Sequence, residues 1–275
     1  MTRDRQTAKI IKRHAWKLSL APLLFFILIP IFSLTITISP SDFWEQIQQE
    51  TVRQAIGMSL QTATCAMLLT VLLGTPAAYY LSRSQSPIHR LIDTILDLPT
   101  ILPPAVAGVA LLMAFGRKGL IGSLLLPLGI SFPFTTPAVI MAQLFVASPF
   151  YIKAATMGFS KVECEMKKAA ALDGANRWQI FRYIMVPMSW SSIVSGCVMT
   201  WARALGEFGA TILFAGNFPG RTQTMPLAIY MGFESNMSTA VTLSIILVFT
   251  SFVILFLVKR ILRPAYELER DDTDY

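Results

Sequence analysis

Four stretches of this chain run without a single charged side chain: Leu18–Ser41, Gln54–Leu81, Gly119–Ile152 and Ser238–Val258. About 20 mostly apolar residues let a helix cross the hydrocarbon core of a bilayer. No water is available there, so backbone groups must be paired within the segment, which an α-helix does by itself. Uncharged runs of this length therefore constrain the chain to an all-α membrane protein. The composition agrees, because only 14% of the 275 residues are charged, against about 25% in ordinary soluble domains.

Six spans are expected. The first is Leu18–Ile38, the second lies in Gln54–Leu81, and the third is Leu98–Phe115. The fourth lies within Gly119–Ile152 and is placed at Thr136–Tyr151. The fifth is Trp190–Phe214, interrupted by Arg203 and Glu207, and the sixth is Ser238–Val258. The first run is longer than a signal-peptide core and no A-x-A site follows it, so it is read as an uncleaved helix. Pro99, Pro103 and Pro104 open the third span. They mark either a simple kink or a broken helix beside a pathway.

Lys and Arg set the expected orientation. Arg3, Arg5, Lys9, Lys12, Arg13 and Lys17 precede the first span, and Arg83 and Arg90 follow the second. Lys153, Lys161, Lys167, Lys168, Arg177 and Arg182 follow the fourth, and Lys259, Arg260, Arg263 and Arg270 follow the sixth. The opposite side holds Arg53, Arg117, Lys118 and Arg221. Basic residues collect in cytoplasmic loops, so both termini are expected in the cytoplasm. This clustering also argues against nucleic acid as the reason for the net charge of +7.

The largest basic loop, 160–187, has the pattern of a soluble helical hairpin. Val162, Met166, Ala169 and Ala170 recur at helical spacing, and Glu163 and Lys167 stand four apart, a pairing distance on a helix. Gly174 falls where a left-handed C′ residue would end a helix. Asn176 and Gln179 form a variant capping box for a second helix, and Pro187 is expected to end it. Either the loop lies on lipid as an interfacial segment, or its small face fits a socket on another protein. The small alanine face and the fixed break at Gly174 favour the socket.

The spacing Ala169-Ala170, Gly174, Ile184 and Val186-Pro187 resembles the EAA loop of permease subunits of type I ABC importers. Lys168 stands where that pattern has glutamate, and Val186 where it has leucine. The segments "LPTILPPAVAGVALLMAFGRKGLIG" (Leu98–Gly122) and "RALGEFGATILFAGNFPGRTQTMPLAIY" (Arg203–Tyr230) resemble the molybdate, tungstate and sulfate group, closest to the molybdate members. The resemblance implies a type I importer transmembrane domain over residues 54–259 with a cytoplasmic coupling-helix loop. Before it lie a basic N-terminus (1–17) and a first helix with its external loop (18–53). A C-terminal tail (260–275) follows. It implies that Lys168, Ala169, Ala170, Gly174, Ala175 and Pro187 dock on the ATPase, with Lys168 meeting a partner groove of different charge or Glu165 making the acidic contact instead. The implied partners are a second permease copy, two ATP-binding cassette ATPase subunits that bind ATP and Mg, a periplasmic or lipid-anchored oxyanion-binding protein, and membrane lipid. The implied location is the cytoplasmic membrane of a bacterium or archaeon.

No enzymatic site is read within the chain. It lacks the G-x-x-x-x-G-K-[ST] phosphate loop, so ATP hydrolysis falls to another polypeptide. His14 and His89 are scattered, and Cys65, Cys164 and Cys197 have no metal-ligand spacing; they are read as small hydrophobes. Arg203, Glu207 and Thr211 are the candidates for a translocation path. An intramembrane charge costs roughly 2.5–3.5 kcal/mol on insertion scales, and such residues pair or face the bundle interior. Arg203 and Glu207 therefore either lock the fifth helix or line the path of a dianion. Ala215–Thr224 is either plain loop structure, a re-entrant or docking element, or an oxyanion contact through Arg221, Thr222 and Thr224. The rival functions are a self-contained secondary transporter, a permease for another solute, and a membrane scaffold.

Overall fold

A computed structural model describes the backbone of residues 2–83 and 86–271 and the side chains of 20–83 and 86–260. The expected basic N-terminus (Arg3 to Lys17) and tail residues Arg263 and Arg270 lie outside the described side chains. The described elements are helical throughout. In order they are α1 (Thr2–Thr37), α2 (Pro40–Gln48), α3 (Glu50–Leu81), α4 (Pro87–Ile101), α5 (Pro104–Phe115), α6 (Gly122–Leu125) and α7 (Thr136–Lys161). Then come α8 (Cys164–Leu172), α9 (Arg177–Ile180), α10 (Val186–Met188), α11 (Trp190–Leu205), α12 (Gly209–Phe214), α13 (Met225–Ser235) and α14 (Met237–Asp271). Among the described residues four helices are long and apolar enough to cross a membrane, or up to six if each of two bent pairs forms one span.

The centre is α3, α7 and α11, packed side by side. Small residues make this possible: Ala55, Ser59, Ala63, Ala66, Thr70, Gly74 and Ala78 form the buried face of α3. Between membrane helices, packing and hydrogen bonds replace the hydrophobic drive, and small side chains let backbones approach closely. The hydrogen bonds are present. Trp201 Nε1 donates to Thr64 Oγ1 at 3.1 Å, and Thr75 Oγ1 lies 2.6 Å from the Tyr151 hydroxyl. In α11, a Cβ on Gly196 would sit 2.9 Å from Ala154 Cβ and 3.3 Å from the Tyr151 Cα. Gly196→Val is therefore expected to destabilise the bundle by about 1–3 kcal/mol, the usual cost of overpacking. The melting temperature of the detergent-purified chain measures it. An unchanged value would mean that α7 and α11 are not this close.

The third expected span is not one straight helix. α4 and α5 meet at Leu102–Pro103 with a bend of 113°. Pro103 and Pro104 supply no N–H donors, and each forces the residue before it out of the helical region. Accordingly, Leu102 (φ −63, ψ 134) and Pro103 (φ −54, ψ 136) are extended. The fifth span is also divided, because α11 stops at Leu205 and α12 restarts at Gly209. The fourth begins at Thr136 as expected but continues past Tyr151 to Lys161. Lys153 is tolerated inside it because its Nζ lies 2.8 Å from both Asp93 and Asp97 of α4. Helices α1 and α14 likewise run past the expected ends of the first and sixth spans. The residues from Leu20 to Thr37 bury nothing inside the chain, which leaves their apolar side chains to lipid.

Candidate functional site

Helix α8 stands off the bundle. None of its residues is buried, and Leu172 at its end is 89% exposed. Its termination has a full local explanation. Ala175 N donates to Ala170 O at 2.9 Å and Gly174 N to Ala171 O at 3.2 Å. This is the Schellman arrangement, which requires a left-handed residue at C′. Gly174 supplies it with φ +89. The chain then enters α9 through the expected capping box: Gln179 N donates to Asn176 Oδ1 at 2.9 Å, and Asn176 N to Gln179 Oε1 at 2.7 Å. Lys168, Ala169, Ala170, Gly174 and Ala175 thus share one short elbow. Of these, Ala170 and Ala175 are half-buried and the others exposed.

Three details of the loop differ from expectation. Val162 is not part of the α8 face; it follows α7 and is buried in the bundle core beside Phe159 and Met185. Glu163 is the extended N-cap residue of α8, so helical i,i+4 geometry with Lys167 does not apply. Pro187 does not end its helix. It lies inside α10, after a π-helical stretch Phe181–Met185 in which Val186 N donates five residues back to Phe181 O. The wider turn accommodates a proline that has no donor of its own. The sharp bend, 73°, comes at Ser189.

Arg203 and Glu207 form an ion pair of 2.8 Å between Nη1 and Oε2, with Glu207 almost fully buried and Arg203 about one third exposed. The second Glu207 oxygen accepts from Ala210 N at 2.9 Å, in the first turn of α12. One carboxylate therefore bridges the end of α11 and the start of α12 across the break. A negative charge near a helix N-terminus is favourable, which helps explain why a buried acid is tolerated. Thr211 is also buried, and among the described residues its hydroxyl has no hydrogen-bond partner. Of the three path candidates, only Arg203 reaches solvent or lipid in this conformation.

The segment Ala215–Thr224 is folded onto the bundle. Phe218 O accepts from the amides of Arg221, Thr222 and Gln223, and Thr222 Oγ1 accepts from Phe218 N at 3.0 Å. Thr136 Oγ1 ties the loop to α7 through Arg221 O at 2.9 Å. Thr222 and Thr224 are buried, so here the loop-structure reading describes the hydroxyls; of the three candidate contacts Arg221, Thr222 and Thr224, Arg221 alone is exposed.

The sequence reading missed Asp93 and Asp97. They stand four apart on α4, a signal visible in the sequence, but their partner Lys153 is sixty positions from Asp93. Cys65 and Cys164, read as buried small hydrophobes, are exposed. Cys65 lies on a membrane-length helix, where lipid accepts a weakly polar thiol.

Residues 70–267 match the family described as the binding-protein-dependent transport system inner membrane component. The chain belongs to this family. Among relatives of this transport component, the probable transport system permease protein NifC of Clostridium pasteurianum is 37% identical over 248 residues, 90% of this chain and 87% of that protein. The molybdenum transport system permease protein ModB of Mycobacterium tuberculosis is 39% identical over 223 residues, 81% of this chain and 84% of its own length. The same fold occurs in a bacterial ABC transporter involved in the import of the acidic polysaccharide alginate, with a TM-score of 0.75 at 18% identity over 94% of this chain and 99% of that one. The chain is thus a multi-pass membrane protein with the transmembrane fold of a type I ABC importer.

Proposed function

We propose that this chain is the membrane-spanning permease subunit of an ATP-driven importer, and that it passes molybdate inward by alternating access. The observation that carries this reading is the exposed elbow of α8 and α9. A Schellman turn and a capping box hold it rigid, yet Leu172, Ala169 and Gly174 are left exposed. A self-contained transporter has no use for such an element. Molybdate rather than sulfate or tungstate is favoured by the naming of the ModB relative. In this reading two copies pair around one path, and two ATPase subunits bind ATP and Mg and seat the elbow. A separate oxyanion-binding protein delivers the anion. The membrane is the cytoplasmic membrane of a bacterium or archaeon, with both termini inside.

Uptake tests the substrate. Cells lacking other molybdate uptake and carrying this chain with its ATPase and binding protein are expected to accumulate labelled molybdate, and excess sulfate should compete weakly. Uptake that survives loss of ATP would instead establish a secondary transporter. Orientation is tested by an impermeant thiol reagent on a cysteine-free version. Leu120→Cys, at an 82% exposed site, is expected to label in intact cells, and Leu172→Cys only after lysis. The reverse pattern overturns the topology.

A further inference from the structure

Where α9 leans on the end of α3, two cavities meet. The first, about 650 Å³, is walled by Val71, Leu72, Pro76, Tyr79, Trp178 and Phe181. Its walls are apolar and it opens to the outside of the bundle, where Leu72 and Trp178 are each 68% exposed. The second, about 550 Å³, is lined by the basic side chains Arg83, Lys161, Lys167, Lys168 and Arg177 against one acid, Glu163. Tyr79, Arg83 and Arg177 line both. Among the described residues neither arginine has a carboxylate partner; Arg83 instead lies 5.4 Å over the Tyr79 ring.

We infer that this joined cavity is a binding site for one anionic phospholipid. An acyl chain would lie in the apolar part, and the phosphate would meet Arg83 and Arg177 at the junction. The dimensions agree. From Val71 to Arg83, the outermost lining residues on this segment, the chain rises about 18 Å at 1.5 Å per residue, a little more than half of a hydrocarbon core of about 30 Å. The cavity therefore spans one leaflet and ends in cations at headgroup depth. Basic pockets between membrane helices select anionic headgroups in this way. Arginine also suits a phosphate diester, because its fork donates two parallel hydrogen bonds. The aromatic wall is continuous with the core: Phe181 packs on Tyr79 with ring centroids 5.1 Å apart and on Trp178 at 5.7 Å. A lipid in place would buttress the second helix of the elbow from its membrane side. The inference requires only that the chain is embedded in a bilayer, not that the elbow docks on an ATPase.

Native mass spectrometry of the purified permease–ATPase complex provides the test. The complex is washed in detergent containing equal amounts of phosphatidylglycerol and phosphatidylcholine with matched chains. The wild type is expected to retain phosphatidylglycerol in preference by about tenfold. The double variant Arg83→Gln/Arg177→Gln should bring that ratio close to one, Arg83→Lys/Arg177→Lys should restore part of it, and Lys259→Gln, remote from the cavity, should leave it unchanged. Equal retention of the two lipids by the wild type overturns the proposal without need of any variant. So does displacement of the lipid by millimolar inorganic phosphate, which would mark a free-anion site. A Gln double variant that keeps the lipid preference but loses the ATPase would assign the arginines to subunit docking and also overturn it.

Discussion

Replacing Gly174 with tryptophan is expected to abolish co-purification of the ATPase while leaving the permease folded. A Cβ built on Gly174 meets nothing within 4 Å, so the indole would project outward and clash with no part of its own chain. The backbone cost is separate. At φ +89 any residue with a Cβ is disfavoured, by roughly 1–2 kcal/mol, and this falls on a turn outside the bundle. Gly174→Ala carries the same strain with almost no bulk. The expected order of ATPase recovery is wild type, then Ala modestly reduced, then Trp near zero, with equal amounts of permease in the membrane. If the Trp variant brings down as much ATPase as wild type and still supports uptake, the elbow is not the docking site. An interfacial helix would then be the better reading.

Glu207→Ala is the second large effect, and it acts on the bundle itself. It removes the partner of Arg203 and the acceptor for Ala210 N together. Breaking a buried pair by deleting one partner typically costs about 3–5 kcal/mol, because the other charge is left uncompensated. Such a loss is a large share of a typical margin of about 5–15 kcal/mol. The variant is expected to be nearly absent from the membrane. Glu207→Gln keeps one oxygen, which accepts from Ala210 N or from Arg203, and sets its NH2 against the other donor; it removes the charge but keeps the shape, so it should recover only part of the expression. Arg203→Ala also strands a buried charge, while the double variant Arg203→Ala/Glu207→Ala should be less damaged than the sum of the two singles. If Glu207→Ala accumulates normally but uptake is lost, the carboxylate belongs to the translocation path and not to the lock.

Two signals of different range account for what was legible. The spans were visible because hydropathy and charge are properties of contiguous residues, and the uncharged run Gln54–Leu81 became α3 with almost the same limits. The elbow was visible for the same reason. Gly174, Asn176 and Gln179 act within a few residues of themselves, so their turn and capping box follow from sequence alone. Hydropathy reports length and not direction. Pro103 and Pro104 announced a break, but the 113° turn is set by α5 packing on α12 and α7. Likewise Val162 had the spacing of the α8 face, and only its burial with Phe159 and Met185 assigned it to the core.

The sequence by itself determined that this chain is a helical membrane protein, roughly which segments are long and apolar enough to span a bilayer, and that a capped helical elbow interrupts them. Each of these follows from interactions between near neighbours or with solvent. The tertiary structure decided which charges are neutralised and by what. Lys153 lies beside two aspartates of another helix, and Glu207 holds Arg203 and the start of α12 at once. It also decided that Arg83 and Arg177, far apart in the chain, share the mouth of one cavity. Coulombic and hydrogen-bond energies depend on distance in space, and in a packed bundle that distance is fixed by how small faces such as that of α3 allow the helices to approach.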